Sequence, residues 1–91
     1  MAKPHDAYSA KADQQLDEFE TNDRVLYGKL MDACEMIFDD QQLAQANSAA
    51  LQTDLGIVMA LPVRGAPGYR VFWTTKIPRV EAVFRYKSSD G

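Results

Sequence analysis

The spacing of apolar residues changes once along this chain, and that change restricts what the chain can fold into. Up to about residue 52 the apolar side chains recur every three or four positions; from residue 57 onward they come in continuous or alternating runs. The first spacing lines one face of a helix, and the second lines strands. Helices followed by consecutive strands give an α+β domain, with the helices lying across one side of an antiparallel sheet. With 91 residues there is room for one such domain, here residues 1–91, with residues 1–8 and 87–91 expected as tails.

The helical half divides into segments. Residues 1–8 read as a tail that has room for a short edge strand at Ala7 and Tyr8. Ser9 suits a helix N-cap, because its hydroxyl can accept from a free backbone N–H. Ala12, Leu16 and Phe19 follow on one helical face, with Asp13, Gln14, Asp17 and Glu18 on the wet side. Thr21, Asn22 and Asp23 break this helix, and Asn22 or Asp23 can cap the next. Leu26, Leu30, Ala33 and Ile37 form the stripe of the second helix, widened by Val25, Cys34 and Phe38. So short a break predicts a helical hairpin. Asp39 and Asp40 end the second helix or open a third, and residues 41–52 read as a short helix or an ordered loop.

The other half reads as a three-stranded antiparallel meander over residues 55–63, 69–75 and 79–86. Pro62 cannot donate to a ladder and places that end at an edge or a bulge. Residues 64–68 hold two Gly and one Pro, a loop composition. Residues 69–75 are aromatic or β-branched except for Arg70, the strongest strand signal in the chain. Alternation puts Tyr69, Val71 and Trp73 under the helices and Arg70 and Phe72 on the open face. In the last strand it puts Val80, Ala82, Phe84 and Tyr86 on one side and Arg79, Glu81 and Arg85 on the other. The expected core is Leu16, Phe19, Leu26, Leu30, Ile37, Val58, Val71, Trp73 and Phe84.

Composition narrows the function classes. A chain 46% hydrophobic and 25% charged is too apolar for disorder. A single cysteine, Cys34, excludes an internal disulfide framework and a cysteine-rich zinc site. The first residues lack the apolar core of a signal peptide, and the longest apolar run, residues 57–63, is seven residues long and contains Pro62. A membrane span needs about 20 residues. The expectation is a cytoplasmic protein with no membrane partner.

Chemistry-bearing motifs are sparse. There is no Gly-rich phosphate loop, zinc-protease helix or nucleophile elbow. His5 is the single histidine and falls in the tail. The acidic residues at 13, 17, 18, 20 and 23 read as a solvated helix face, so neither a metal nor a cofactor is expected.

Charge is divided unevenly. Residues 1–55 carry four basic and eleven acidic residues, a balance of −7, while residues 56–91 carry six basic and two acidic, a balance of +4. Such a division suits either one half facing a polyanion or acidic partner, or two halves that attract each other within the fold. Alternation gathers Arg70, Arg79 and Arg85 on the open face, where guanidinium groups suit phosphate. The competing reading is a face that only keeps the sheet soluble.

The order of these elements resembles the RelE/ParE family of toxins from bacterial toxin–antitoxin modules. The likeness rests on the helical hairpin, the Gly-containing loop before Tyr69-Arg70-Val71, the last alternating strand, and the entry Tyr8 to Leu16 with its Ala12–Leu16 pair. It spans roughly residues 8–86. The resemblance implies one of two activities: metal-independent cleavage of mRNA in the ribosomal A site, or gyrase inhibition without nuclease activity. It implies catalytic roles for Arg70 as charge stabiliser, Arg85 as second phosphate contact and Tyr86 as stacking platform or acid/base. Arg64, Lys76, Arg79 and Lys87 would bind RNA. A cognate antitoxin is the implied protein partner, with the ribosome and mRNA as targets. The acidic net charge of −3 and the shortened first strand, with Pro4 inside it, depart from the nuclease pattern. They fit a catalytically inert member, or a small protein-binding or dimerising domain whose interface is Phe72 or the edge near Pro62. The sequence leaves these alternatives open.

Overall fold

The computed structural model describes residues 7–54 and 56–86, so His5, Leu55 and Lys87 lie outside the described residues. The fold is α+β. Three helices, α1 (Ala10–Asn22), α2 (Arg24–Asp39) and α3 (Gln41–Ala46), precede four strands, β1 (Ala49–Thr53), β2 (Gly56–Pro62), β3 (Tyr69–Thr74) and β4 (Arg79–Arg85). The strands form one antiparallel sheet in the order β1-β2-β3-β4. The expected three-stranded sheet therefore gains a fourth strand at its edge, drawn from residues expected to be helix or loop.

Single aspartates join the helices. Asp23 closes α1 by donating its N–H to the Phe19 carbonyl at 2.8 Å, and its Oδ1 caps α2 by accepting from Leu26 N at 3.1 Å. Asp40 does the same between α2 and α3, donating to the Met36 carbonyl at 2.8 Å and accepting from Leu43 N at 3.1 Å. One residue thus satisfies a carbonyl at one helix end and an N–H at the next. Ser9 caps α1 as the sequence suggests, accepting from Ala12 N at 3.0 Å.

The helices cover one side of the sheet, α1 along β4, α2 over β3 and α3 over β2. Leu16, Leu30, Cys34 and Ile37 from the helices meet Leu61, Val71, Trp73, Val80 and Val83 from the sheet, all fully or almost fully buried. Each such side chain contributes about 1.5–3 kcal/mol relative to leaving it in water. Trp73 is the largest of them, and its Nε1–H donates to Ser48 Oγ at 3.1 Å. Ser48 in turn donates to the Ala44 carbonyl at 2.7 Å, so the indole is tied to the end of α3. Phe19, Leu26 and Val58 are half-buried rather than buried, and Phe84 is exposed.

Two expectations are corrected by backbone geometry. Tyr8 belongs to the core, not the tail: it is buried and forms an isolated parallel bridge with Val80 instead of an edge strand. The regular alternation expected in the last strand is interrupted. Phe72 pairs with Ala82, but the next residue, Trp73, pairs with Val80, which leaves Glu81 as the extra residue of a β-bulge. The bulge shifts the phase of β4, so Val80 and Val83 both join the helix-side core while Ala82 lies on the other face.

Candidate functional site

The face of the sheet away from the helices carries the side chains that could do something. Alternation along β3 sends Arg70 and Phe72 to this open face, as the sequence indicates, and Thr74 with them. The bulge at Glu81 then brings Ala82, Phe84 and Tyr86 to the same face. A second apolar cluster results, built on Ala60, Phe72 and Ala82 with Leu51 and Val58 packed against it. Phe72 is not an exposed contact residue as expected; it is buried beneath its neighbours.

Aromatic geometry gives this cluster its shape. The rings of Phe72 and Phe84 stack with centroids 4.6 Å apart and planes 15° apart. Tyr86 meets Phe72 edge to face at 5.6 Å. Phe84 and Tyr86 remain 36% and 39% exposed, so the aromatic group presents two accessible rings over a floor of alanines. Lys11, from the first turn of α1, places its ammonium 5.9 Å from the Phe84 ring centroid, within cation–π range. Arg70 lies directly across from Phe84 in the ladder, and its Nη1 donates to the Tyr69 carbonyl at 3.0 Å.

The basic residues expected to form one patch do not converge. Arg85 pairs with Tyr69 and so lies on the helix side, where its side chain runs beside Gly68. A Cβ on Gly68 would come within 3.3 Å of Arg85 Nε, and the φ of +87° there also favours glycine. Arg79 sits at the other end of the sheet, paired with Thr74 and within 3.9 Å of the Glu81 carboxylate, which also accepts from Thr74 Oγ1 at 3.3 Å. Four residues of β3 separate it from Arg70, about 13 Å of strand. Lys76 joins Arg79, Glu81, Thr74 and Ile77 around a shallow cleft of about 480 Å³ at that far end. Arg64 is exposed in the loop at the opposite end, before β3. Of the residues expected in the site, Arg70 and Tyr86 share the aromatic face. Arg79, paired with Thr74, is on the same face of the sheet but at its far end; Arg64, Lys76 and Arg85 lie elsewhere, and Lys87 lies outside the described residues.

Phe84 and Lys11 are the residues that sequence reasoning missed. Alternation in β4 places Phe84 in the core, because the bulge leaves no mark in that pattern. Lys11 carries no sequence signal of its own, since its position over Phe84 comes from how α1 docks along β4. No protein-family model, curated protein or solved structure matches the chain.

Proposed function

We propose that this chain is a protein-binding domain whose open sheet face takes an amphipathic, acidic segment of a partner polypeptide. One observation carries the reading: two accessible rings, Phe84 and Tyr86, stand on an apolar floor and are flanked by the cations of Lys11 and Arg70. Apolar anchors of the partner would bury against the rings, where binding energy concentrates in well-packed aromatic contacts. Carboxylates beside those anchors would meet Lys11 and Arg70, which fixes orientation more than it adds affinity. A nucleic-acid backbone asks for more cations than this face offers, since log affinity falls with each missing phosphate contact. Arg79 is engaged by Glu81, and the chain as a whole carries −3. The resemblance to the RelE/ParE family implies an antitoxin as the partner, and an acidic amphipathic antitoxin segment has the chemistry this face would take.

The test is chemical-shift mapping of the isotopically labelled protein, titrated with a peptide of alternating Leu and Glu and separately with a single-stranded oligouridylate. Saturable shifts at Arg70, Phe84 and Tyr86 with the peptide alone support the proposal. Saturation of the same residues by the oligouridylate, or no response to the peptide, overturns it.

A second reading, metal-independent mRNA cleavage at the ribosome, is favoured by the shared face of Arg70 and Tyr86. It calls for growth arrest on induction in bacteria, with cut sites in the ribosomal A site that disappear in Arg70→Ala. Normal growth, or arrest without such cuts, removes it.

A further inference from the structure

The two edges of this sheet are treated differently. Outer β4 is closed by the segment leading into α1. Ser9 N donates to the Val80 carbonyl at 2.9 Å, Ser9 Oγ donates to the Glu81 carbonyl at 2.5 Å, and Gln15 Oε1 accepts from Val83 N at 2.6 Å. The bulge at Glu81 further spoils that edge as a template. The described residues show no bulge in outer β1. Ala49, Ala50, Leu51, Gln52 and Thr53 include no charge and no proline, and they pair with β2 in unbroken register from Ala49↔Ala60 to Thr53↔Gly56. Their side chains are exposed apart from half-buried Leu51. An uncharged, regular edge strand is a template for another extended chain.

We propose that β1 pairs antiparallel with β1 of a second copy, making one continuous sheet across a two-fold axis at Leu51. The sequence of the strand is compatible with itself in that register. Leu51 meets the partner's Leu51, Ala50 meets the partner's Gln52, and Ala49 meets the partner's Thr53. Beyond them Asp54 falls opposite the partner's Ser48, so no like charges face each other, a condition that self-pairing across a two-fold demands. Leu51 is also the apolar residue at the rim of the open-face cluster. Pairing it with its copy joins the two clusters into one strip on one side of the sheet. A five-residue strand pair buries less than the roughly 1,200 Å² of a standard interface, so the dimer is weak and reversible. The proposal does not rest on what occupies the open face.

Sedimentation of the full chain over a range of concentrations, up to about 1 mM so that weak association is reached, tests it with two double variants. Ala50→Lys with Gln52→Lys sets each lysine against a lysine of the partner; Ala50→Lys with Gln52→Glu sets each lysine against a glutamate. Both exchange exposed side chains, so circular dichroism should show both folded. The expected result is a reversible wild-type dimer, at least tenfold weakening in the Lys/Lys variant, and pairing as tight as wild type in the Lys/Glu variant. Amide exchange at residues 50 and 52 should slow as wild-type concentration rises. A wild-type monomer throughout overturns the proposal, including the case where an unrelated extended peptide shifts the β1 amides. A dimer equally affected, or unaffected, by both variants overturns the β1 register.

Discussion

Arg70 and Arg85 stand on adjacent rungs of the same strand pair and point to opposite faces of the sheet: Arg70 is opposite Phe84, and Arg85 is opposite Tyr69. A shift of one residue along a strand changes the face completely. The two side chains therefore leave the sheet on opposite faces, whereas Arg70 with Phe84 and Tyr86 forms a single surface.

This separation gives a binding prediction. Truncating Phe84 to Ala removes the outer ring of the stack and should weaken the acidic Leu/Glu peptide by about 2 kcal/mol, roughly thirtyfold. Arg70→Ala should cost about 1 kcal/mol, mostly by losing a rim charge. Arg85→Ala should leave affinity unchanged, as its side chain lies on the far face. Calorimetric titration of the three variants checks the pattern, and a loss in Arg85→Ala equal to that in Arg70→Ala would contradict it.

The parts that were legible in the sequence were those fixed by local pattern. The stripe Leu26, Leu30, Ala33 and Ile37 needs only helical spacing to be recognised, and α2 follows it. The aromatic and β-branched run at 69–75 reads as a strand, and alternation assigns both of its faces correctly, including Trp73 in the core and Arg70 outside. What failed depends on a pairing partner. Ala49 to Thr53 has little intrinsic strand preference and becomes β1 because β2 folds back on it. The bulge at Glu81 arises from how β4 registers against β3, and nothing in residues 79–86 marks it. That one extra residue moved Phe84 from the expected core to the surface and split the expected arginine patch.

Trp73 and Phe84 should differ sharply in their contribution to stability, although both were expected in the core. Trp73 is fully buried and donates to Ser48, whereas Phe84 is 36% exposed. Trp73→Ala leaves a large cavity and removes the donor to Ser48 Oγ, which keeps its bond to the Ala44 carbonyl, at a cost of about 3–5 kcal/mol. A domain this small has a margin of about 5 kcal/mol, so this variant should keep no more than about 2 kcal/mol and sit close to its unfolding midpoint. Phe84→Ala should cost about 1 kcal/mol and keep the fold. Urea denaturation followed by tryptophan fluorescence reads the second, and circular dichroism reads the first.

Closure of the β4 edge should also be measurable. Ser9 Oγ accepts from Ala12 N as a helix cap and donates to the Glu81 carbonyl, joining the start of α1 to the sheet. Ser9→Ala removes both bonds and should cost about 2 kcal/mol, about half from the cap and half from the edge bond. Gln15→Ala leaves the Val83 N–H without its side-chain acceptor. Amide exchange at Val83 should then accelerate at least tenfold, with little change at Val71 in the sheet interior. Equal acceleration at both sites would show global destabilisation rather than opening of one edge.

Tyr8 should make the fold sensitive to alkaline pH. Its side chain is 6% exposed, and burial, followed by the neighbouring Cys34 thiol, raises the phenol pKa well above its ordinary 10.0. Below pH 10 the phenol is protonated in the folded and the unfolded chain alike, and this group adds no pH dependence. Above pH 10 the unfolded chain releases the proton while the folded chain retains it. Unfolding is then favoured by ionisation, and stability falls as pH rises, by at most about 1.4 kcal/mol per pH unit from this one group. Tyr8→Phe keeps the ring that packs 5.7 Å from Phe38 and removes the titrating hydroxyl. Urea midpoints of wild type and Tyr8→Phe should run parallel from neutral pH to pH 10 and diverge above it, with the wild type falling faster. Parallel curves through the alkaline range would mean that Tyr8 ionises in the folded state as readily as in the unfolded one, and its place in the core would have to be revised.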